Sequence, residues 1–273
     1  MEIRINGQTA DITADSEKTV GEILAGLEQW LANSGHRLSG LAIDGQNAAC
    51  ESASSLEKAF SRDIDTVSTL DIFTSSLTEL TAQSLLRLYG DIEEYEGLDY
   101  GERSAFYDNW KKSPQALLAA EQEPELHSLC ARAFSDGGIG FQMLRAIIEE
   151  RLREIEDPAA EFESLRPLVS ETCTRLADLP LDIQTGKDGQ AAQTIQIFSG
   201  VTEKIFRVYR LLGNYSSATE PVTDLINEFN TAARELLTAY ERRDSVLVGD
   251  LAEYEMAPRL QELYTVIGKQ GIK

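Results

Sequence analysis

The chain has 273 residues, 42% of them apolar and 26% charged, which is the composition of a folded protein and excludes wholesale disorder. Its net charge is −21, with 5 Lys/Arg against 12 Asp/Glu in residues 1–76 and 20 against 34 in residues 77–273. A negative field spread over both parts repels phosphate backbones and anionic headgroups, so neither nucleic acid nor a membrane surface is an expected partner. The same field keeps the chain soluble and attracts a basic partner.

The opening MEIRINGQTADITAD is charged and carries no apolar core of a signal peptide. No stretch approaches the roughly 18 apolar residues that a membrane span needs. Cys50, Cys130 and Cys173 are far apart and odd in number, as expected of small apolar residues in a reducing compartment. These features predict a cytoplasmic protein.

Met1, Ile3 and Ile5 alternate with Glu2 and Arg4, the period of a half-buried strand. Asn6-Gly7 follows, a pair suited to a type I′ turn because both positions need positive φ. Folding about that pair sets Ile3 opposite Ala10 and Met1 opposite Ile12, so apolar residues meet on one face. Thr19-Val20-Gly21-Glu22 is a capping box that starts a helix. Val20, Ile23, Leu24, Leu27, Trp30 and Leu31 form its apolar stripe, and Gly35 is its stop. Leu41 and Ile43 mark a third strand ending at Asp44-Gly45, Ser55–Phe60 a short helical turn, and Val67–Phe73 a last strand with Leu70 and Ile72 inward.

The order strand, strand, helix, strand, short turn, strand resembles the ubiquitin-like β-grasp, with the tight Asn-Gly hairpin of small sulfur-carrier members. The resemblance covers residues 1–76 and implies a protein-binding or packing module. Carriers of that family end in a free Gly-Gly whose carboxylate is activated. Here the last strand ends Phe73-Thr74-Ser75-Ser76 and the chain continues, so carrier or modifier chemistry does not follow.

From Leu77 the apolar period changes from two to about 3.6. Leu77, Leu80, Ser84, Leu88, Ile92 and Tyr95 share one helical face, and Leu144, Ile147, Ile148, Leu152 and Ile155 another. Phe162, Leu165, Val169, Leu176 and Leu179 predict a further helix bent by Pro167. Ala191, Ile195, Phe198, Thr202, Ile205, Tyr209 and Leu212 repeat in the 4-3-4-3 rhythm of a coiled-coil seam, which closes within the chain or against a second copy. Leu225, Phe229, Ala232, Leu236 and Ala239 do the same. Ser113-Pro114 and Asp157-Pro158 each place a capping side chain before a proline. The prediction is an α+β chain: a ββαββ module over 1–76, then about six or seven helices in one or two bundles over 77–273, with a subdivision near 134–140 or 180–190.

Chemistry is sparse. There are two histidines, His36 in a turn and His127 three residues before Cys130. His127 and Cys130 supply two metal ligands at most, fewer than zinc requires, and neither histidine completes a Glu-x-x-His motif of a di-iron bundle. Gly137-Gly138-Ile139-Gly140 reads as a helix-breaking linker without a phosphate-loop lysine, and Thr185-Gly186-Lys187-Asp188 lacks the glycine and hydroxyl of a Walker motif. No cofactor is expected.

One pattern stands out. Gly90-Asp91-Ile92-Glu93-Glu94-Tyr95-Glu96 and Gly249-Asp250-Leu251-Ala252-Glu253-Tyr254-Glu255 share GD-aliphatic-x-EYE. Asp91 and Glu94 fall on one helical face, as do Asp250 and Glu253, so the two helices side by side would gather four carboxylates for a hard cation or for a partner's basic side chains. Chance matching in an acidic helical chain, with Tyr95 and Tyr254 packed inward, is the stronger explanation of the pattern. The leading expectation is a non-enzymatic interaction or adaptor protein with a protein partner. The alternatives are an acidic helical chaperone for secreted or flagellar-type subunits, and a carboxylate/divalent-cation enzyme using Asp91, Glu94, Asp250 and Glu253. Homo-oligomerisation is left open by the seam.

Overall fold

In the computed structural model, which describes residues 1–12, 17–48, 58–136, 140–213 and 220–271, the Asn6-Gly7 pair makes the expected turn, with φ of 49° and 79°. Strand β1 (Glu2–Ile5) pairs antiparallel with β2 (Gln8–Thr9), Arg4 opposite Thr9 and Ile5 opposite Gln8. The Ala10 N–H donates to the Ile3 carbonyl at 2.9 Å, which holds the register read from the sequence.

Helix α1 (Val20–Asn33) starts on the predicted capping box: the Glu22 N–H donates to Thr19 Oγ1 and the Thr19 N–H to Glu22 Oε2, both at 3.3 Å. Strand β3 (His36–Ile43) follows Gly35, whose φ of 74° ends the helix. Asp44 and Gly45, with φ of 52° and 76°, then turn the chain into a two-residue strand, β4 (Gln46–Asn47), that the sequence pattern does not reveal. The first half of the predicted turn at Ser55–Phe60 lies outside the described residues, as do Gly137-Gly138-Ile139 and Cys50; Lys58–Phe60 is helical.

Strand β5 (Thr69–Ser76) runs through the middle of the sheet, parallel to β1 and antiparallel to β3, in the order β2-β1-β5-β3-β4. That mixed five-stranded sheet with one crossing helix is consistent with a β-grasp-like module. Ile3, Leu41, Ile43, Leu70 and Ile72 meet Val20, Ile23, Leu24 and Leu27 of α1 in a single apolar core. Trp30 departs from the predicted stripe: it is 59% exposed. It sits one turn beyond the buried Leu27 of the same helix.

Ser76 is both the last residue of β5 and the N-cap of helix α2 (Leu77–Gly97), in a second capping box with Glu79. Strand passes to helix with no linker. Helices α3 (Tyr100–Trp110), α4 (Pro114–Gln122) and α5 (Pro124–Ser135) follow, with α4 and α5 against α2 and α3 against α5. The contacts divide the chain into two units, Met1–Ile148 and Glu149–Lys273, and the division falls inside helix α6 (Phe141–Glu156).

The second unit holds the end of α6, then α7 (Pro158–Ser164), α8 (Arg166–Gln184), α9 (Asp188–Leu211), α10 (Glu220–Glu241), α11 (Ser245–Asp250), a π-helical turn at Leu251–Met256 and α12 (Ala257–Gly271). The chain breaks at Leu165, so Pro167 lies in the first turn of a new helix instead of bending one. The described residues after 76 thus form eleven α-helices, more than expected, because proline starts and one-residue breaks cut runs that share one apolar period. Ala191, Phe198, Ile205 and Tyr209 of the predicted seam are buried in the core of this unit, where α9 packs on α7, α8 and α12.

Candidate functional site

The N-terminal module contains an apolar cleft of about 460 Å³ between the β1–β2 hairpin and α1. The hairpin side is built by Ile5, Ala10 and Ile12, and the helix side by Ile23, Gly26, Leu27 and Trp30. Strand alternation turns Ile5 toward α1, and the helical period lines up Ile23, Gly26, Leu27 and Trp30 across from it. Glu17 is the charged member of the lining. A cleft of this size and lining falls in the range of about 300–1,000 Å³ of sites that bury a ligand or an anchoring side chain.

The four carboxylates singled out in the sequence fall in separate units and in unlike surroundings. Asp91 is 2% exposed; its Oδ2 accepts from Trp110 Nε1 at 2.8 Å and its Oδ1 pairs with Arg87 Nε at 2.9 Å. Burial raises its carboxyl above the ordinary range, against the pull of Trp110 and Arg87. Glu94 is exposed, with Arg87 at 3.9 Å. Asp250 is exposed and Glu253 half-buried. Tyr95 is buried and donates to the Phe134 carbonyl at 2.7 Å, whereas Tyr254 is 66% exposed. The matching letters therefore occupy non-matching positions. Among the described residues, no group of three His, Cys, Asp or Glu side chains is placed to hold a metal ion.

Trp110 also explains the other pair. His127 stacks on its ring at 5.0 Å, and burial lowers the imidazole's basicity. Cys130 is fully buried, its thiol pushed up to about 12 by burial with the Asp91 charge adding, so it is unreactive. His36, predicted in a turn, is the exposed first residue of β3, with Nδ1 2.9 Å from the Ser34 carbonyl. Replacing Trp110 with phenylalanine should leave Asp91 short of a donor. We expect a loss of about 1–2 kcal/mol in urea unfolding and a further rise of the Asp91 titration midpoint by NMR.

Sequence reasoning missed a buried charge cluster in the second unit. Glu154 of α6 is fully buried and accepts two bonds from Arg207 of α9, Nε at 2.6 Å and Nη2 at 2.8 Å. Arg207 also bonds Glu203, and Lys204 joins Glu150 at 2.6 Å to Glu161 at 3.2 Å. Burial pushes the Glu154 carboxyl up to about 7, with Glu150 and Glu161 adding and Arg151 and Lys204 opposing. The available signal was the spacing of Glu150 and Glu154 on one helix against Lys204 and Arg207 on another.

Residues 1–76 match the family model described as the TP0873 N-terminal domain. Residues 161–266 match a domain of unknown function (DUF8042). Over 263 residues the chain is 25% identical to a protein of Treponema pallidum (strain Nichols) described as an uncharacterized protein, covering 96% of this chain and 94% of that one. No solved structure matches. The apolar cleft lies within the first matched segment; Asp250 and Glu253, with the Glu161, Glu203, Lys204 and Arg207 side of the charge cluster, lie within the second. Asp91 and Glu94 lie in neither. No helix among the described residues is long and apolar enough to cross a membrane.

Proposed function

We propose that the chain is a non-enzymatic cytoplasmic interaction protein, an adaptor whose N-terminal module, a ubiquitin-like β-grasp, binds another protein through the cleft between its hairpin and α1. The observation that carries this reading is Trp30, a large aromatic left 59% exposed at the rim of an apolar cleft. Exposed aromatics beside apolar concavities are enriched where proteins bind proteins. Two grooves among the described helical residues differ in kind from this cleft: one is about 250 Å³, and the other, about 460 Å³, is lined by Glu228 and Glu255, both paired to Arg259.

A photo-crosslinking residue placed at Trp30 in the full chain tests this. It should give a discrete adduct with one partner protein, whereas the same residue at Tyr100, 90% exposed on the same unit, should not. Equal labelling from both positions would mean a generally adhesive surface and would end the proposal.

A further inference from the structure

Helix α1 has two interior glycines, and they differ. A Cβ on Gly21 would stand 3.1 Å from the Phe60 carbonyl oxygen and 3.2 Å from Phe60 Cβ, so the neighbouring segment would have to give by a few tenths of an ångström to admit one. Among the described residues, a Cβ on Gly26 would meet nothing within 4 Å. Glycine in a helix interior costs about 0.5–1 kcal/mol relative to alanine, and packing gives no return for it at Gly26. What Gly26 does is line the cleft, between Ile23 and Trp30 on the helix side. A side chain there would occupy the space the cleft now holds open.

The charge around this space has one sign in excess. Residues 1–76 carry 5 basic against 12 acidic residues. Exposed Asp11 stands between the lining residues Ala10 and Ile12. An acidic peptide would meet repulsion as it approached. A peptide with lysine or arginine beside its apolar anchor would be drawn in.

Resting on the interaction reading above, we propose that the cleft seats one apolar side chain of a basic segment of the partner, and that Gly26 is the residue that keeps the seat vacant. The anchor is a leucine, isoleucine or phenylalanine that packs over the Gly26 backbone against Ile23, Leu27 and Trp30. The flanking basic residues add attraction that added salt weakens.

Panning short random displayed peptides on the immobilised full-length chain tests both halves. Selected peptides should combine one large apolar residue with neighbouring lysines or arginines, and raising the salt should weaken them. Gly26→Leu should weaken a selected peptide by about tenfold or more, because the substitution fills an apolar seat with several methylene groups. Gly26→Ala should weaken it less while the thermal midpoint rises. Should Gly26→Leu misfold, Gly26→Ala carries the test, since its methyl has clear space. Peptides of neutral or acidic character would overturn the basic class and leave the interaction reading standing. Selected peptides that bind the Gly26 variants undiminished would place the seat elsewhere. Dimerisation of the chain that Gly26→Leu abolishes would make a second copy the occupant and overturn the proposal. No enrichment at all would overturn both the seat and the reading it rests on.

Discussion

Arg207→Met should destabilise the second unit by about 3–5 kcal/mol near pH 8 and by clearly less near pH 6, measured by urea unfolding. Removing the guanidinium leaves Glu154 fully buried without the two bonds of 2.6 and 2.8 Å that it accepts. Methionine fills the space but not the charge. Near pH 6 the carboxyl can take up a proton and become a neutral acid, so the penalty shrinks. The intact protein should show the same group in its pH dependence. Burial holds Glu154 at about 7, above the ordinary value of 4.5. Between those two values the folded chain keeps a proton that the unfolded chain has released. The group's contribution to stability is therefore full below about pH 4.5, falls as pH rises, and is gone above about pH 7, an effect on the order of 3 kcal/mol. Glu154→Gln should flatten that slope. A loss below about 1 kcal/mol for Arg207→Met at both pH values would mean that the pair behaves as an ordinary surface contact.

Gly249→Val should cost about 2–3 kcal/mol, while Gly90→Ala should be neutral or stabilise by up to about 1 kcal/mol. The two glycines open the same seven-residue pattern, yet a Cβ on Gly249 would lie 2.9 Å from Pro180 Cβ and 3.2 Å from its Cγ. Pro180 lies inside α8, and α11 crosses it at this point. A branched side chain forces the two helices apart and opens voids in the core built by Leu176, Leu179 and Val248. Gly90 has nothing among the described residues within 4 Å of its would-be Cβ. Equal thermal shifts for the two substitutions would contradict this account and revive a shared role for the pattern.

That pattern shows where reading by letters stops. Both copies are helical, as their spacing predicts, but Asp91 and Tyr95 turn into the first unit whereas Asp250 and Tyr254 are exposed. A π-helical turn begins at Leu251, so the second copy changes phase after its second letter. The period of an ideal helix no longer says which face its carboxylates share. Trp30 makes the same point from the opposite side. Its place in the stripe of α1 was legible, and its exposure was not, because exposure depends on what the rest of the chain packs against that turn of the helix.

The sequence alone determined the α+β class, the Asn6-Gly7 register, the start of α1 at Thr19 and the change from strand to helix at Leu77. Each of these rests on hydrogen bonds and side-chain periods set by residues a few positions apart, and such terms act before any distant packing forms. Only the tertiary structure decided that Asp91 is spent on Trp110 and Arg87, that Glu154 meets Arg207, that Gly249 meets Pro180, and that Gly26 and Trp30 border an open apolar cleft. Those outcomes depend on burial and on close approach between segments tens of residues apart. Local pattern constrains neither, because the same helix face can meet a core, a partner helix or water.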